Sequence, residues 1–163
     1  MNKNRKLRLC LIGDISNVHC KRWANYFVGR GHEVHFVDNH HYKYKDLKLH
    51  YINDYTRIKL IDYLRRLVSA RSIIRKIKPD LVHSQQVTYH GFLGALSGVH
   101  PFIVTPWGSD VLFDYEKSFI HKLIIKYSLD SADVIHQIDK NGIDRVNHIY
   151  GDHRDRLFLL NEG

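Results

Sequence analysis

The 163-residue sequence predicts a doubly wound α/β domain whose mainly parallel sheet carries helices on both faces. Two observations predict it. Short runs of β-forming residues alternate along the whole chain with longer segments of helical periodicity, and that order requires crossover connections between parallel strands. Glycine and proline also fall at the joints, at Gly29-Arg30-Gly31 and at Pro79, where a helical segment gives way to the next run.

Lys6 to Gly13 is a largely apolar run that ends in glycine, as a buried parallel strand and its turn do. A helix follows over Val18 to Arg30, which supplies Trp23, Tyr26, Phe27 and, one turn earlier, Cys20, and closes at Gly29-Arg30-Gly31. Glu33 to Val37 is the second strand and completes a βαβ unit of about thirty residues. Leu47 to Ile52 alternates as a short edge strand. Tyr55 to Lys78 reads as a long helix, with Leu60, Leu64, Leu67, Ile74 and Ile77 as its buried seam and Pro79 as its stop. Asp80 to Ser84, Gly91 to Ser97 and Phe102 to Thr105 then give strand, closely packed helix and strand. A helix over Phe119 to Leu129, a strand over Val134 to Gln137, a helix over Asn141 to Ile149 and a strand over Arg156 to Leu160 complete the chain.

A chain of this length supports one core and so one domain, residues 1–163. Its 44% hydrophobic and 12% aromatic content excludes a disordered polyelectrolyte. Cys10 and Cys20 form no C-x-x-C, so they read as reduced thiols of a cytoplasmic protein rather than as a zinc knuckle or a disulfide scaffold. The basic N-terminus and the short apolar run after it are broken by Arg8 and Asp14, so they read as a strand and not as a signal peptide. The uncharged stretch Tyr89 to Ser109 is interrupted by glycines, two prolines and two histidines and cannot be a spanning helix.

In a doubly wound sheet the ligand crevice lies beyond the carboxyl ends of the strands. After the first strand stands Gly13-Asp14-Ile15-Ser16, without the two or three glycines that dinucleotide or P-loop phosphate binding requires. It is either an ordinary capped turn or a weak anion site. After Phe102 to Thr105 comes Pro106-Trp107-Gly108-Ser109-Asp110. One reading sets Trp107 and Asp110 at the crevice mouth, an aromatic face and a carboxylate that suit a sugar's C–H face and hydroxyls. The other makes Trp107 a core plug and Asp110 a cap. His83, Ser84, Gln85, Gln86 and His90 surround another strand end, as hydrogen-bonding groups of a site or as a polar loop. No histidine pair has H-E-x-x-H spacing, so no metal site is expected, and the absence of G-x-S-x-G counts against a serine hydrolase.

The net charge of +8 is unevenly distributed: Met1 to Lys78 holds 18 Lys+Arg against 6 Asp+Glu, and Pro79 to Gly163 holds 7 against 11. Arg65, Arg66 and Lys76 lie off the expected helical seam and form either a solubilising ridge or a surface for anionic lipid headgroups. Nucleic acid is not expected as a partner, because no RNP-type or helix-turn-helix pattern is present.

Six stretches carry a resemblance: Leu11 to Ser16; His19 with Lys21 to Tyr26; Gly29 to Val34; Ile77 to His83; Gly91 to Ala95; and Thr105 to Leu112. In this order, over essentially the whole chain, they resemble the N-terminal, acceptor-side domain of a family 4 glycosyltransferase. Such enzymes set two Rossmann-like domains face to face, the GT-B architecture. The resemblance implies transfer of a hexosyl group from a nucleotide-sugar to the hydroxyl of a glycan or lipid-linked glycan, usually with retention. It implies no cofactor and no required metal, the nucleotide-sugar being a substrate. The expected acceptor- and cleft-lining set is Gly13, Asp14, Ser16, His19, His83, Gln85, Trp107, Gly108, Ser109 and Asp110. Trp107 stands where many relatives carry histidine, so a direct histidine role toward the donor sugar is not carried over.

The resemblance also implies a partner, a C-terminal donor-binding domain or a separate donor-binding chain. Asn161-Glu162-Gly163 resembles the turn that leads into that second domain, and the chain alone is expected to be inactive. A cytoplasmic location follows, with peripheral attachment to the cytoplasmic face of a membrane. A stand-alone scaffold domain that docks on an anionic membrane or a partner protein is the alternative expectation.

Overall fold

The computed structural model describes residues 5–52, 58–112, 114–137, 144, 146–148, 150–151 and 155–159. They form strands β1 (Arg8–Ile12), β2 (Glu33–Asp38), β3 (Lys48–Tyr51), β4 (Leu81–Gln85), β5 (Phe102–Thr105), β6 (Val134–Gln137) and β7 (Leu157–Leu159). All pair in parallel, in the order β3-β2-β1-β4-β5-β6-β7. The order reverses between β1 and β4, which makes the gap beyond their carboxyl ends the topological switch point.

The helices are α1 (Val18–Gly29), α2 (Lys59–Ile77), α3 (Tyr89–Ser97), α4 (Ser109–Leu112), α5 (Asp114–Lys117) and α6 (Phe119–Ser131). On one face α1 covers Leu11, Val34 and Phe36 with Cys20, Ala24, Trp23 and Phe27. On the other, α2, α3 and α6 bury Ala70, Ile74, Leu93, Ile125 and Leu129 against Cys10, Ile12, Val82, Phe102 and Val104. A central strand between two such layers has no polar side, which is why Cys10, Leu11 and Ile12 are all buried. The same burial pushes the Cys10 and Cys20 thiols up to about 12.

Local chemistry sets the helix ends. Asn17 caps α1 by accepting from the His19 amide at 2.8 Å. Ser118 caps α6 by accepting from the His121 amide. Lys78 leaves α2 in the left-handed conformation directly before Pro79, where α-helical backbone is disfavoured.

Among the described glycines the closest approach is at Gly94, where α3 lies on β4 and β5. A methyl group there would come within 2.5 Å of the Phe102 ring and closer still to Ser84 Oγ, both fully buried. Gly94→Ala is therefore expected to destabilise the domain by about 1–3 kcal/mol in urea unfolding, despite alanine's better helix propensity. Equal or greater stability would show that the α3 contact yields.

Two expectations change. The seam of α2 is Ala70, Ile74 and Ile77 with Leu67 and Ile73 beside it, while Leu60 and Leu64 are exposed. Helical spacing identified an apolar face but could not say how far along the helix the sheet underlies it. The short helices α4 and α5 were not anticipated, since four residues show no periodicity. The helix expected over Asn141 to Ile149 is described only at 144 and 146–148, all helical, as is 150; Val146 and Tyr150 join the core. The beginning of the Tyr55 helix, the loop after β6, and Asn161-Glu162-Gly163 lie outside the described residues.

Candidate functional site

The switch point between β1 and β4 is closed from below by a tight contact. Gly13, first after β1, has a backbone so near α1 and β4 that a Cβ would stand 2.9 Å from Cys20 Sγ and 3.2 Å from Gln85 Cβ. Glycine here serves close packing of strand, helix and neighbouring strand, as the third glycine of a nucleotide fingerprint does, without the others.

Above this floor stands Trp107, half-buried against the α1 layer, 5.6 Å from the exposed His19 ring. Its indole N–H donates to Gln85 Oε1 at 3.2 Å. Gln85 Nε2 donates in turn to His83 Nε2 at 3.1 Å, which also receives the Thr105 hydroxyl at 2.8 Å. Thr105 Oγ1 accepts from His136 Nδ1 at 3.1 Å. Every donor in this buried relay points toward His83, so His83 is neutral with its proton on Nδ1. Burial, reinforced by the neighbouring His136, pulls the His83 pKa down to about 3. Trp23 edges onto both imidazoles at 4.9 and 5.5 Å.

Asp110 is buried, with its carboxylate turned to the backbone. It accepts from the amides of Val87 (2.7 Å), Trp107 (2.8 Å) and Val111 (3.0 Å). Burial raises its pKa, and the amide hydrogen bonds act against that rise. The carboxylate clamps the Pro106 to Val111 loop to the loop after β4, where Gln86 holds a positive φ of 76°. The Asp110 carboxylate is thus turned to backbone amides on both sides of it and not to solvent.

The expected set thus divides by depth. Asp14, Ser16, His19, Trp107, Gly108 and Ser109 reach solvent to some degree, whereas Gly13, His83, Gln85 and Asp110 are buried beneath them. Arg65 and Lys76 are exposed, and Arg66 is half-buried with a hydrogen bond to the Tyr89 hydroxyl.

Asp38, at the end of β2, was not expected as a site residue. Its buried carboxylate accepts from the Ile15 amide at 2.7 Å and the His40 amide at 2.9 Å, so it shapes the turn after β1. Asp14, Asp38 and His40 bring their ligand atoms within 4.8 Å of one another, the one such trio among the described residues. Against partial burial, hydrogen bonds from Ser16 hold the Asp14 carboxyl below its ordinary value. Twenty-three residues separate Asp14 from Asp38, so only the β1–β2 pairing brings them together. A separate cleft of about 450 Å³ opens at the opposite ends of the strands, lined by Arg8, Glu33, His35, His50 and Lys76.

The family model described as Glycosyl transferase 4-like matches residues 8–139. The chain belongs to the glycosyl transferase 4-like family. No curated protein sequence matches it significantly. Among solved structures, this glycosyl transferase 4-like domain is similar to a fragment of sucrose-phosphate synthase from Thermosynechococcus elongatus (TM-score 0.67, 12% identity, 96% of this chain and 89% of that one). It is also similar to the longer chain of that enzyme (TM-score 0.69, 11% identity, 96% and 48%). A putative UDP-N-acetylglucosamine 2-epimerase from Listeria monocytogenes aligns at TM-score 0.71 and 13% identity, over 95% of this chain and 45% of that one. At such identities the likeness is one of fold, the Rossmann-like α/β fold of GT-B proteins. The glycosyl transferase 4-like domain spans about half the length of the two longer chains.

Proposed function

We propose that this domain is the acceptor-side half of a glycosyltransferase, which transfers a hexosyl group from a nucleotide-sugar to a glycan or lipid-linked glycan hydroxyl. The observation that carries the reading is Trp107: a half-exposed indole at the switch-point crevice, its N–H tied down by the Gln85–His83–Thr105 relay. A fixed aromatic face stacks on a sugar's C–H surface with little loss of side-chain freedom. Asp14, Ser16, His19 and Ser109 supply polar groups to the hydroxyls around it.

The missing glycine fingerprint after β1 supports placing the donor nucleotide elsewhere, on a second domain or a separate chain. In this reading the reaction takes place in the cytoplasm and requires no metal or cofactor. The purified chain is expected neither to hydrolyse nor to transfer from UDP-, GDP- or ADP-hexoses, with or without magnesium, and to gain transfer when a donor-binding half is supplied. Turnover by the 163-residue chain alone would contradict this.

A further inference from the structure

At the amino ends of the strands, alternation sends Arg8 of β1, Glu33 and His35 of β2 and His50 of β3 to the face that α2 covers. Arg8 stands in register beside Glu33, and His35 beside Lys48. With Ile73 and Lys76 of α2 they line the cleft of about 450 Å³, a volume in the range of small-molecule sites, roughly 300–1,000 Å³. Ile73 and Ile77 give it an apolar wall opposite the charged strand residues.

The hydrogen bonds within this cleft leave cationic donors over. Glu33 is its lining carboxylate, and it is fully engaged: Oε1 accepts from Lys48 Nζ at 2.6 Å and His35 Nε2 at 3.0 Å, and Oε2 accepts from Arg8 Nε at 3.3 Å. Those bonds, the one from Lys48 foremost, hold the Glu33 carboxyl down at about 2, so it stays ionised and fixes its donors in place. Arg8 gives Nη1 to the Ile77 carbonyl at 3.1 Å, and its Nη2 has no acceptor among the described residues. Nor has the Lys76 ammonium, which is exposed at the cleft wall. Because His35 Nε2 carries the proton that Glu33 accepts, His35 Nδ1 is bare and receives His50 Nε2–H at 2.8 Å. The second nitrogen of His50, Nδ1, meets no protein partner among the described residues and becomes a donor when the ring is protonated. Arg8, Lys48 and Lys76 together outweigh Glu33, so the cleft holds excess positive charge before either histidine titrates.

We propose that this cleft binds the phosphate group of a small organic phosphate, held by Arg8 Nη2, Lys76 Nζ and protonated His50, with the organic part against Ile73 and Ile77. A guanidinium, an ammonium and an imidazolium supply charge-assisted donors to the several oxygens of a dianion. The apolar wall and the volume suit a substituent larger than bare phosphate. The occupant joins β1, the edge strand β3 and the last turn of α2, and it lies at the opposite ends of the strands from Trp107. The site does not depend on glycosyl transfer.

NMR titration of the full chain with inorganic phosphate, phenyl phosphate and benzoate, at matched ionic strength, tests this through the His50 imidazole and Ile73 methyl resonances. Inorganic phosphate is expected to shift His50 saturably with a Kd of about 1 mM or below, and phenyl phosphate to bind about tenfold more tightly and to shift Ile73 as well. Burial, with His35 and Lys48 nearby, lowers the His50 pKa in the free protein. Bound phenyl phosphate is expected to raise it by about one unit, the linkage of about tenfold tighter binding to the protonated ring. Lys76→Gln is expected to weaken binding about tenfold with an unchanged circular dichroism spectrum, whereas Lys59→Gln, the same loss of charge at the other end of α2, leaves it within about twofold. Shifts that sodium chloride reproduces, no saturable shift by phosphate, or equal weakening in the two variants would overturn the proposal. So would benzoate binding as tightly as phenyl phosphate, since the cleft would then select an apolar anion and not a phosphate.

Discussion

Asp110→Ala is expected to destabilise the domain by about 3–5 kcal/mol in urea unfolding, as the loss of one carboxylate leaves several amides unpaired, each costing about 1–3 kcal/mol when buried. The amides of Val87, Trp107 and Val111 all donate to it, and two of those three hydrogen bonds are buried. Asp110→Asn keeps one acceptor oxygen and is expected to fall between wild type and alanine. The same clamp sets the start of the Trp107 loop and holds the segment beyond the strained Gln86. Alanine is therefore also expected to shift Trp107 emission to the red under conditions where the chain remains folded. A loss below about 1 kcal/mol would mean that water satisfies these amides and that the clamp is dispensable.

Acid is expected to destabilise the domain through His83. In the fold the imidazole accepts two donors at Nε2 and its pKa falls to about 3, while in the unfolded chain it returns to about 6.5. The unfolded state thus binds the extra proton, so this contribution is fully present above pH 6.5 and is lost as pH falls toward 3. Between pH 7 and pH 4 the loss is about 3 kcal/mol from this one group. His50 and His90, both lowered by burial, add to it with the same sign. The measurement is the difference in unfolding free energy between wild type and His83→Gln across that range. Glutamine is less stable at pH 7, where its fit to the relay is worse, and the two curves are expected to converge toward pH 4. Parallel curves would show that His83 titrates normally.

Much of the fold was legible because strands buried on two faces leave a nearly unbroken apolar signature. The runs at Leu9 to Ile12 and Phe102 to Thr105 could be little else. The site was legible as segments and not as chemistry. Trp107 and Asp110 follow the same strand, yet one reaches solvent and the other is turned inward, a difference set by the direction of the loop and the amides within reach. Nothing in the sequence marks Asp38, because its partner, the Ile15 amide, comes from another strand end. On α2 helical spacing marks an apolar face and not what covers it, so Leu67 packs against the core while Leu60 and Leu64 stand in solvent.

Saturation-transfer NMR on the 163-residue chain tests the central claim most directly, with a panel of glycans in one arm and nucleotide-sugars in the other. The acceptor-side assignment predicts transfer to the C–H protons of at least one glycan class, its loss in Trp107→Ala, and no transfer to the nucleotides. Saturation of the nucleotide protons with no glycan signal would contradict it.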